Sequence, residues 1–466
     1  MTRIASRKAA ALAVAVIAVS AGILAVVALG SSSRQAYKYG PSPSEPFPAL
    51  WQMNTSGAPY LQSFLSDNTL FTIIDEYNST HSLFSGADMV NWNVVALSEY
   101  SGAARWNRSV VISGEENINP QLSWIPGSIL LSGYGSSVTV NGVQEVNGSS
   151  IFVMEFNAST GSIDGIAVRH TSPEFGIAGY LLFAGNAVIY SFVGYGGGYL
   201  AVGSLPFSSG AVLSWSRNLT VTPASYNTSS LAFADSEYTV IAAWNIIVLN
   251  TDTGSSVSSV PYSAVGAEQY NLVNGKLIDG TLYFISEISS SRGRTDLNLE
   301  GLSLATARVV LNVTVGHVEI PTFPVSVRAI GNRLIAPVSP GIPYSVLSLS
   351  GSLLWNSTQV LQRFNGVKAN LGIPLLQLAD GEWLLGQSIQ TASGNRGISG
   401  TTAIFQAVNA SDGHLEWTSS FTYYYPEAHL QFYPPNGFGP PEVLPTASDG
   451  PYFAYDWGNN IGVTAG

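Results

Sequence analysis

The sequence predicts an all-β fold of many short strands, and three observations lead to that prediction. After residue 48, short runs rich in Val, Ile, Leu, Tyr and Thr alternate with Gly, Asn, Asp and Pro, and no long amphipathic helical pattern is present. The chain has 47 Gly and 24 Pro in 466 residues, as expected where many turns join strands. Only 10% of the residues are charged and 46% are hydrophobic, which leaves ample material for a core and disfavours disorder. These features favour a sandwich, a barrel or a propeller.

Apolar runs bounded by turn residues give the predicted strands. The clearest runs are residues 70–74, 128–131, 151–156, 180–183, 238–243, 282–285, 333–337 and 402–408. Asn141-Gly142 and Asn147-Gly148 have the composition of tight turns, because Asn and Gly tolerate positive φ. The first of these pairs predicts a two-residue hairpin of type I′ character.

One segment recurs along the chain and predicts a repeat fold. It consists of an apolar strand, a polar turn, a glycine and a short strand with tryptophan four residues after the glycine. The clear copies hold Gly102 with Trp106, Gly351 with Trp355, and Gly413 with Trp417. Weaker copies lie at Gly161, at Gly210 with Trp215 one residue late, at Gly254, and at 302–310, where the glycine is missing. The copies are 44 to 62 residues apart, a spacing that suits a four-stranded antiparallel sheet.

The glycine and the tryptophan of this segment have separate physical roles. Glycine supplies the positive φ that a tight turn between neighbouring strands requires. The tryptophan is expected on one face of the outer strand, where it fills the space between two sheets. A single sheet cannot bury both of its faces, so the copies are expected to stack in a ring as a β-propeller.

These residues resemble the A-L-D-x-x-T-G-x-x-x-W repeat of quinoprotein-like (PQQ-like) β-propellers. The resemblance covers most of residues 48–466, with three strong copies among seven. It implies a propeller of four-stranded antiparallel blades. Eight blades are favoured, at about 52 residues each, and seven are expected if the 302–310 segment is not a true copy.

The two ends of the chain predict how the ring closes. Residues 445–465 have the pattern of inner strands without a following glycine and tryptophan segment, and residues 49–53 have that of an outer strand without predecessors. Pairing of these strands would form one blade from both termini and hide two open edges. The propeller domain is therefore expected to span residues 49–466.

An apolar segment near the N-terminus predicts membrane attachment. In residues 9–30, Ser20 is the only polar member, and about 20 residues at 1.5 Å rise are enough to span the hydrocarbon core. Basic residues precede the segment, so residues 1–8 are expected in the cytoplasm. Residues 31–48 are rich in Pro and Ser and are typical of an extended linker. The expected protein is single-pass in the cell membrane, with its C-terminal domain extracellular.

A cleaved signal peptide is the alternative for the same segment. Small residues precede Ser31 at a spacing that suits cleavage, and the protein would then be secreted. Either interpretation exports most of the chain. After residue 40 there are 13 basic and 29 acidic residues, a net charge of −16, which disfavours nucleic-acid binding.

Ten N-x-S/T sequons agree with export. These candidate N-glycosylation sites are Asn54, Asn78, Asn107, Asn147, Asn157, Asn218, Asn227, Asn312, Asn356 and Asn409. Ser/Thr-rich turns are the alternative explanation for the same residues. An exported acidic chain with sequons and no cysteine fits an archaeal surface glycoprotein, and an acidic habitat is a hypothesis for its low charge.

The sequence contains no motif that carries catalysis or cofactor binding. Its lack of cysteine rules out disulfides, cysteine ligands for zinc and a cysteine nucleophile. The five histidines lack metal-binding spacing, and no nucleophile elbow, Walker loop or strand-linked dinucleotide motif is present. The resemblance implies PQQ at the ring centre against a vicinal disulfide, with calcium and a catalytic Asp, but no residue of this chain carries those ligands. We therefore expect no cofactor, no metal and no assigned catalytic residue.

The most unusual local stretch is an aromatic, Pro-rich segment at residues 421–441. Its candidate partner-binding residues are Tyr423, Tyr424, Tyr425, Glu427 and His429. Aromatic rings beside polar groups would suit a sugar or a peptide. The alternative is a rigid loop between blades that packs its rings onto the propeller.

The sequence favours a non-catalytic binding or scaffolding module at the cell surface. Loops at one end of the ring would meet a protein or a glycan partner. The alternative is an exported enzyme on the same fold, either a quinoprotein-like dehydrogenase or a carbohydrate-active hydrolase or lyase. In a glycosidase, acidic residues would converge from distant blades.

Overall fold

The computed structural model describes most of the chain after residue 48. The described residues are 49–54, 60–75, 89–113, 121–171, 175–194, 199–207, 215–220, 230–266, 272, 274–289, 295–318, 325–338, 342–357, 362–364, 367–369, 373–377, 382–393, 398–426, 442–443, 452–457 and 460–465. The predicted anchor and linker lie outside these residues. Within them, no helix has the length and apolar character needed to cross a bilayer.

Antiparallel groups of four strands follow one another along the chain, and each group is called a unit here. The first strand, β1 (Ala49–Asn54), belongs to the last sheet. Unit 1 contains β2 (Tyr60–Ser66), β3 (Thr69–Asp75), β4 (Met89–Ser98) and β5 (Ala104–Ser113). Unit 2 contains β6 (Gln121–Ile125), β7 (Ser128–Val140), β8 (Val143–Asn157) and β9 (Ile163–His170). Unit 3 contains β10 (Phe175–Ala184), β11 (Ala187–Gly194), β12 (Tyr199–Pro206) and β13 (Ser216–Thr220).

The second half of the chain repeats this order. Unit 4 contains β14 (Ser230–Ala234), β15 (Tyr238–Ala242), β16 (Ile246–Asn250) and β17 (Ser256–Val260), followed by a short 3-10 helix (Tyr262–Ala264). Unit 5 contains β18 (Lys276–Ile278), β19 (Thr281–Ser289), β20 (Thr295–Ser303) and β21 (Arg308–Val318). Unit 6 contains β22 (Ser326–Ile330), β23 (Arg333–Val338), β24 (Ser345–Ser348) and β25 (Leu353–Asn356). A small hairpin of β26 (Gln362–Phe364) and β27 (Val367–Ala369) precedes unit 7, which contains β28 (Ile373–Gln377), β29 (Glu382–Ser393), β30 (Ile398–Asn409) and β31 (Leu415–Pro426).

The two ends of the described chain meet in a terminal sheet. It contains β32 (Glu442–Val443), β33 (Tyr452–Trp457), β34 (Asn460–Ala465) and β1. β1 pairs antiparallel with β34, with Met53 opposite Ile461. The segment that the sequence marks as an outer strand is thus the outermost strand of this sheet.

The first strands of successive units contact one another, which arranges the sheets around a common centre. β2 contacts β6, β6 contacts β10, and the series continues through β14 and β18 to β22. β28 contacts β32, and β33 of the terminal sheet contacts β2. Inner strands that meet in order, each followed by three strands outward, are the arrangement of a β-propeller.

Apolar side chains fill the spaces between neighbouring sheets. Between units 4 and 5, Val240 and Val248 meet Phe284 and Leu302 in one core. The second strand of unit 4 is covered on both faces, since every residue of Tyr238–Ala242 is buried.

A long hairpin joins units 1 and 2 into one eight-stranded sheet. The outer ends of β7 and β8 extend across to β5, where Val110 pairs with Val140. Asn141 and Gly142 form the predicted hairpin turn, with φ of 48° and 83°. The Asn147-Gly148 pair is not the tight turn that its composition predicts, since it lies inside β8. A register shift in the β7–β8 pairing accommodates Gly148, whose φ is 86°.

A candidate binding surface on the outer rim

In the six units where it is described, the repeat segment forms the turn between the third and fourth strands. In unit 4, the Asn250 N–H donates to Ser255 O, and the Gly254 N–H donates back to Asn250 O, both at 2.8 Å. The predicted positive φ is confirmed in five copies. The angles are 66° at Gly102, 66° at Gly161, 65° at Gly254, 82° at Gly351 and 74° at Gly413.

Asparagine at the first turn position accepts hydrogen bonds from the residues that follow it. Asn157 Oδ1 accepts from the Ser159 N–H at 3.1 Å and from its hydroxyl at 2.7 Å. Asn409 Oδ1 accepts in the same way from the N–H of Ser411 at 2.9 Å. The serine that completes each of these two sequons therefore also closes an Asx turn, so turn chemistry alone accounts for the motif at these positions.

In units 1, 3 and 6, a predicted tryptophan locks the unit onto the turn of the next unit. The indole N–H donates to the carbonyl of the second turn residue, as in Trp106 to Ala158 (2.9 Å), Trp215 to Thr251 (2.7 Å) and Trp355 to Ala410 (3.1 Å). The same ring covers the turn glycine, where an added Cβ would lie 2.6 Å from Trp106, 2.5 Å from Trp215 and 2.7 Å from Trp355. This contact, called the indole lock below, requires glycine for space as well as for φ. The side chain of Trp417 lies outside the described residues, although its backbone pairs with Ala407 in β30.

Arginine reinforces two of these locks. Arg108 Nε donates to Gly161 O at 2.6 Å, and Arg217 Nη1 donates to Gly254 O at 2.8 Å. Each arginine stands two residues after the tryptophan of its lock. Sequence analysis missed this W-x-R spacing, which is visible in the chain once the turn partner is known.

The interface between units 4 and 5 departs from the pattern. Ser258 stands four residues after Gly254, where tryptophan is expected, and its hydroxyl donates to Leu304 O at 3.2 Å. Ala307 occupies the glycine position of the next turn, with φ of 54°. The segment at 302–310 therefore forms a turn at the repeat position without the glycine.

In each unit whose turn is described, the outer strand has a β-bulge near its start, at the same distance from the turn. In unit 1, Ala96 pairs with Trp106 and Leu97 with Ala104, so Arg105 is the extra residue. The same shift occurs in five other units and places one bulged residue three positions after the turn glycine or its equivalent. The six bulge residues are Arg105, Asp164, Val257, Val310, Leu354 and Glu416.

The bulge residues divide the rim into a charged part and an apolar part. Units 1, 2 and 7 carry Arg105, Asp164 and Glu416, whereas the consecutive units 4, 5 and 6 carry Val257, Val310 and Leu354. These aliphatic side chains are 40%, 62% and 41% exposed, and the adjacent Val309 and Leu353 are 37% and 60% exposed. These five residues are called the rim patch. Exposed aliphatic residues on neighbouring units are candidates for an interaction site. Their shared bulge position is not visible in the sequence, so sequence reasoning did not find them.

Two of the units that carry the rim patch are in direct contact. An added Cβ at Gly351 would lie 2.4 Å from Leu311 Cδ1, so the turn of unit 6 rests against β21 beside Val310. Tyr283 of unit 5 also donates to Leu349 O of that turn at 3.2 Å. The turn that leads into β25 therefore packs against unit 5.

The remaining sequons fall into distinct settings. Asn107, Asn147, Asn218 and Asn312 are exposed. Asn356 donates through its side-chain N–H to Ser345 Oγ at 3.2 Å. Asn54 lies in β1, and Asn78 and Asn227 lie outside the described residues.

The aromatic segment is described only in its first part. The backbones of Tyr423, Tyr424 and Tyr425 lie in β31, where they pair with Thr401, Gly400 and Ser399 of β30. Their side chains, and both Glu427 and His429, lie outside the described residues. The segment stays a predicted partner-binding site.

A serine and a histidine in unit 2 lie at hydrogen-bond distance. Ser150 Oγ is 2.9 Å from His170 Nδ1 and donates to Gly148 O at 2.6 Å. The Ser150 Oγ thus lies between the Gly148 carbonyl and His170 Nδ1. Ser150 is fully buried, and the pair holds the β8 bulge against β9.

A buried carboxyl lies in the interface between units 4 and 5. Glu300 is 3% exposed, and Ser286 donates to its Oε1 at 2.6 Å. Burial raises the pKa of the Glu300 carboxyl, and the bond from Ser286 opposes the rise. Among the described residues, His, Asp and Glu form no group of three or more suited to a metal ion.

Comparisons with known proteins find similar solved structures at low identity. No protein-family model and no curated protein matches the chain. BamB from Moraxella catarrhalis is 10% identical with a TM-score of 0.32, over 90% of this chain and 98% of that one. One of two prolyl endopeptidases is 9% identical at 0.34, over 79% of this chain and 50% of that one. Apo AztD from Citrobacter koseri is 11% identical at 0.30, over 66% of this chain and 88% of that one. The fold assignment therefore rests on the strand pairing and the contacts between sheets.

Proposed function

We propose that this chain is a non-catalytic docking module held at the outer face of the cell membrane, and that it binds a protein partner through the rim patch. Residues 9–30 would anchor it, residues 31–48 would act as a spacer, and the exposed sequons would carry glycans. The domain would be an eight-bladed propeller. The seven units and the terminal sheet support that blade number.

The rim patch is the observation that carries this proposal. It exposes five aliphatic side chains on three consecutive units, although the chain after residue 40 has a net charge of −16. The matching bulges of units 1, 2 and 7 carry charge, so the fold does not require an apolar residue at this position.

The chemistry of the rim patch favours protein over glycan. Sugar rings stack on aromatic faces, whereas Val and Leu offer apolar area without π-faces or hydrogen bonds. Aliphatic side chains suit the apolar core of a protein interface, with charged residues at its rim. If the partner were a glycan, the aromatic segment at residues 421–441 would be the better candidate site, as the sequence analysis proposes.

A photo-crosslinking amino acid at matched bulges tests the proposal in cells that make the chain naturally. The probe replaces Leu354 in one variant and Glu416 in the other. We expect a discrete protein adduct from position 354 and none from position 416. Introducing Val257→Glu into the position 354 variant is expected to abolish the adduct, because both residues belong to one surface. Equal adducts from both positions, or an adduct that is insensitive to Val257→Glu, would contradict the proposal.

A further inference from the structure

The sequons of the described strands are concentrated at the open edges of the sheets. Eight of the ten sequons lie within the described residues, and five of these eight lie in an outermost strand. These five are Asn54 in β1, Asn107 in β5, Asn218 in β13, Asn312 in β21 and Asn356 in β25. Asn147 lies in the long hairpin of β7 and β8, before the pairing of β8 with β9 begins at Ser150. Of the eight, only Asn157 and Asn409 lie elsewhere, at the ends of third strands.

The two turn sequons have a structural reason for their asparagine. Asn250 stands at the same turn position without a sequon, because Asp252 is two residues later. Its Oδ1 nevertheless accepts from the N–H of Thr253 at 2.9 Å and from its hydroxyl at 2.8 Å. In Asn157, the Nδ2 that would carry a glycan donates to Asp164 Oδ2 at 3.2 Å. The turn therefore favours asparagine whether or not a sequon results.

The sequons of the outermost strands have no such reason. Asn107, Asn218 and Asn312 are exposed within strands, where asparagine is disfavoured. Residues two apart in a strand point to the same face, so each asparagine lies beside the Ser or Thr that completes its sequon. Asn356 is set apart from these three, since its Nδ2 donates to Ser345 Oγ at 3.2 Å.

In unit 1, the sequon occupies the part of the outer edge that other features leave open. The bulge at Arg105 interrupts β5 near its start. From Val110 onward, β5 is covered by its pairing with β7. Bulges and covering strands both protect an edge from further pairing. Residues 106–109 have neither protection, and Asn107 lies among them.

Unit 5 repeats this arrangement on β21. Its pairing with β20 is interrupted by bulges at Val310 and Val315. The regular stretch between them is residues 311–314, and it contains Asn312 together with the threonine of its sequon. In both units, the sequon thus falls in the stretch of regular edge that no bulge or neighbouring strand protects.

Charged side chains do not protect these stretches. Lysine is the residue that most often guards an exposed edge strand. Only two lysines follow residue 48, Lys276 in the first strand of unit 5 and Lys368 in the small hairpin before unit 7. Arg108 lies in the open stretch of β5, but its Nε donates to Gly161 O of the next unit. Residues 311–314 carry no charge.

We propose that N-glycans on Asn107, Asn218 and Asn312 protect the open edges of units 1, 3 and 5 from pairing with strands of other molecules. A glycan is bulky and solubilising, so another strand cannot approach the backbone beside it. In this chain of low charge, the glycan takes the place of an edge lysine. The inference rests on the glycosylation in the proposed function, and it does not depend on which partner binds the rim patch.

Glycopeptide mass spectrometry of the chain from cells that make it naturally is the first test. We expect glycans on Asn107, Asn218 and Asn312, and none on Asn157 or Asn409. Bare sequons at the three edge positions would overturn the inference. Equal occupancy of the edge and turn sequons would also contradict it, because position in the sheet would then have no influence.

Removal of the three glycans tests their role. The variant that combines Asn107→Gln, Asn218→Gln and Asn312→Gln is purified in detergent from the same cells as the wild type, and circular dichroism confirms that it is folded. Light scattering after size exclusion measures its mass over a range of concentrations. We expect the variant to associate at a concentration about tenfold lower than the wild type does. The wild-type sequence from a host without glycosylation is expected to behave like the variant. If both unglycosylated proteins associate no more readily than the glycosylated wild type, the inference is wrong.

Lysine at two sets of positions separates edge protection from general solubility. The first set places lysine at the edges, as Asn107→Lys, Asn218→Lys and Asn312→Lys. The second set adds lysine to the Gln variant at exposed turn residues, as Ala103→Lys, Ser236→Lys and Ala305→Lys. We expect the first set to restore wild-type behaviour and the second to leave the association unchanged, although both add the same charge. Equal rescue by the two sets would reject edge protection. Loss of the Leu354 adduct would reject docking at the rim patch and leave this inference standing.

Discussion

The interface between units 3 and 4 and the interface between units 4 and 5 solve one packing problem in two ways. In the first, Trp215 covers Gly254 and its indole N–H reaches Thr251 O. In the second, Ser258 stands at the tryptophan position and its hydroxyl reaches Leu304 O. In both interfaces, a side chain on the outer strand of one unit donates to the carbonyl of the second turn residue in the next unit. The donor side chains differ greatly in volume.

This difference separates two reasons for glycine in the turn. Ala307 holds φ of 54° at the turn position that faces Ser258. Positive φ alone is therefore tolerated by alanine in this turn, at a cost of about 1–2 kcal/mol. Where an indole covers the turn, the space for a Cβ is absent as well. The ring, more than the backbone angle, makes glycine obligatory at Gly254.

The largest expected effect comes from filling the space under an indole. Gly254→Ala would place a Cβ 2.5 Å from the Trp215 ring at φ of 65°. We expect it to lower the free energy of unfolding by about 3 kcal/mol, from strain in the core and in the backbone together. Urea unfolding of the variant and the wild type measures this difference.

A matched variant isolates the backbone contribution to that loss. Gly142→Ala has φ of 83° and no atom within 4 Å of the added Cβ. Its expected cost is only about 1 kcal/mol. Equal losses at positions 142 and 254 would show that the indole contributes nothing to the requirement for glycine.

A double-mutant cycle tests whether an indole lock can be built into the interface between units 4 and 5. Ser258→Trp alone would press its ring on the Ala307 Cβ, and we expect a loss of about 2 kcal/mol. Ala307→Gly alone removes the strained alanine and is expected to change stability by less than about 1 kcal/mol. Together they rebuild an indole lock, with an expected favourable coupling of about 1–2 kcal/mol. Thermal unfolding of the four proteins measures the coupling, and additive effects would contradict the proposed link between donor size and glycine.

The repeat was predictable because its determinants are local in sequence. A glycine followed four residues later by tryptophan gave the turn, its positive φ and the buried ring in the copies at Gly102 and Gly351. Asn141-Gly142 predicted its hairpin for the same reason. Asn147-Gly148 has similar composition but lies in a bulge, because the partner strand continues past it and keeps the chain in the sheet.

The candidate surface was not predictable because its determinants are not local. Val310 becomes prominent only through the register shift between β20 and β21, which depends on how the two strands pair. Val310 and Arg105 can be recognised as equivalent residues only after the pairing shows that each is the extra residue of its bulge. Arg108 and Arg217 of the indole locks bind turn glycines that are 53 and 37 residues away in the sequence, so their partners are visible only after folding.

The smallest predicted effect concerns the carboxyl that the exceptional interface buries. The folded-state pKa of Glu300 is raised from 4.5, mainly by burial. The neutral carboxyl is thus favoured in the folded chain, so its contribution to stability is fully present below the unfolded pKa and is lost as the pH rises through the folded pKa. Glu300→Gln resembles the neutral form. Between pH 4 and pH 7, we therefore expect the free energy of unfolding to fall less in Glu300→Gln than in the wild type. Urea titration of both proteins at each pH measures this difference.

A second buried carboxyl limits how far that flattening should go. Glu99 is 2% exposed at the turn of unit 1, and burial also raises its pKa, with Arg105 acting in the opposite direction. Glu300→Gln should therefore remove only part of the pH dependence of the free energy of unfolding. An unchanged slope in Glu300→Gln would mean that Ser286 and the surrounding chain stabilise the ionised carboxyl as well as water does. In that case the interface between units 4 and 5 would differ from the indole locks in volume alone, and not in its response to protons.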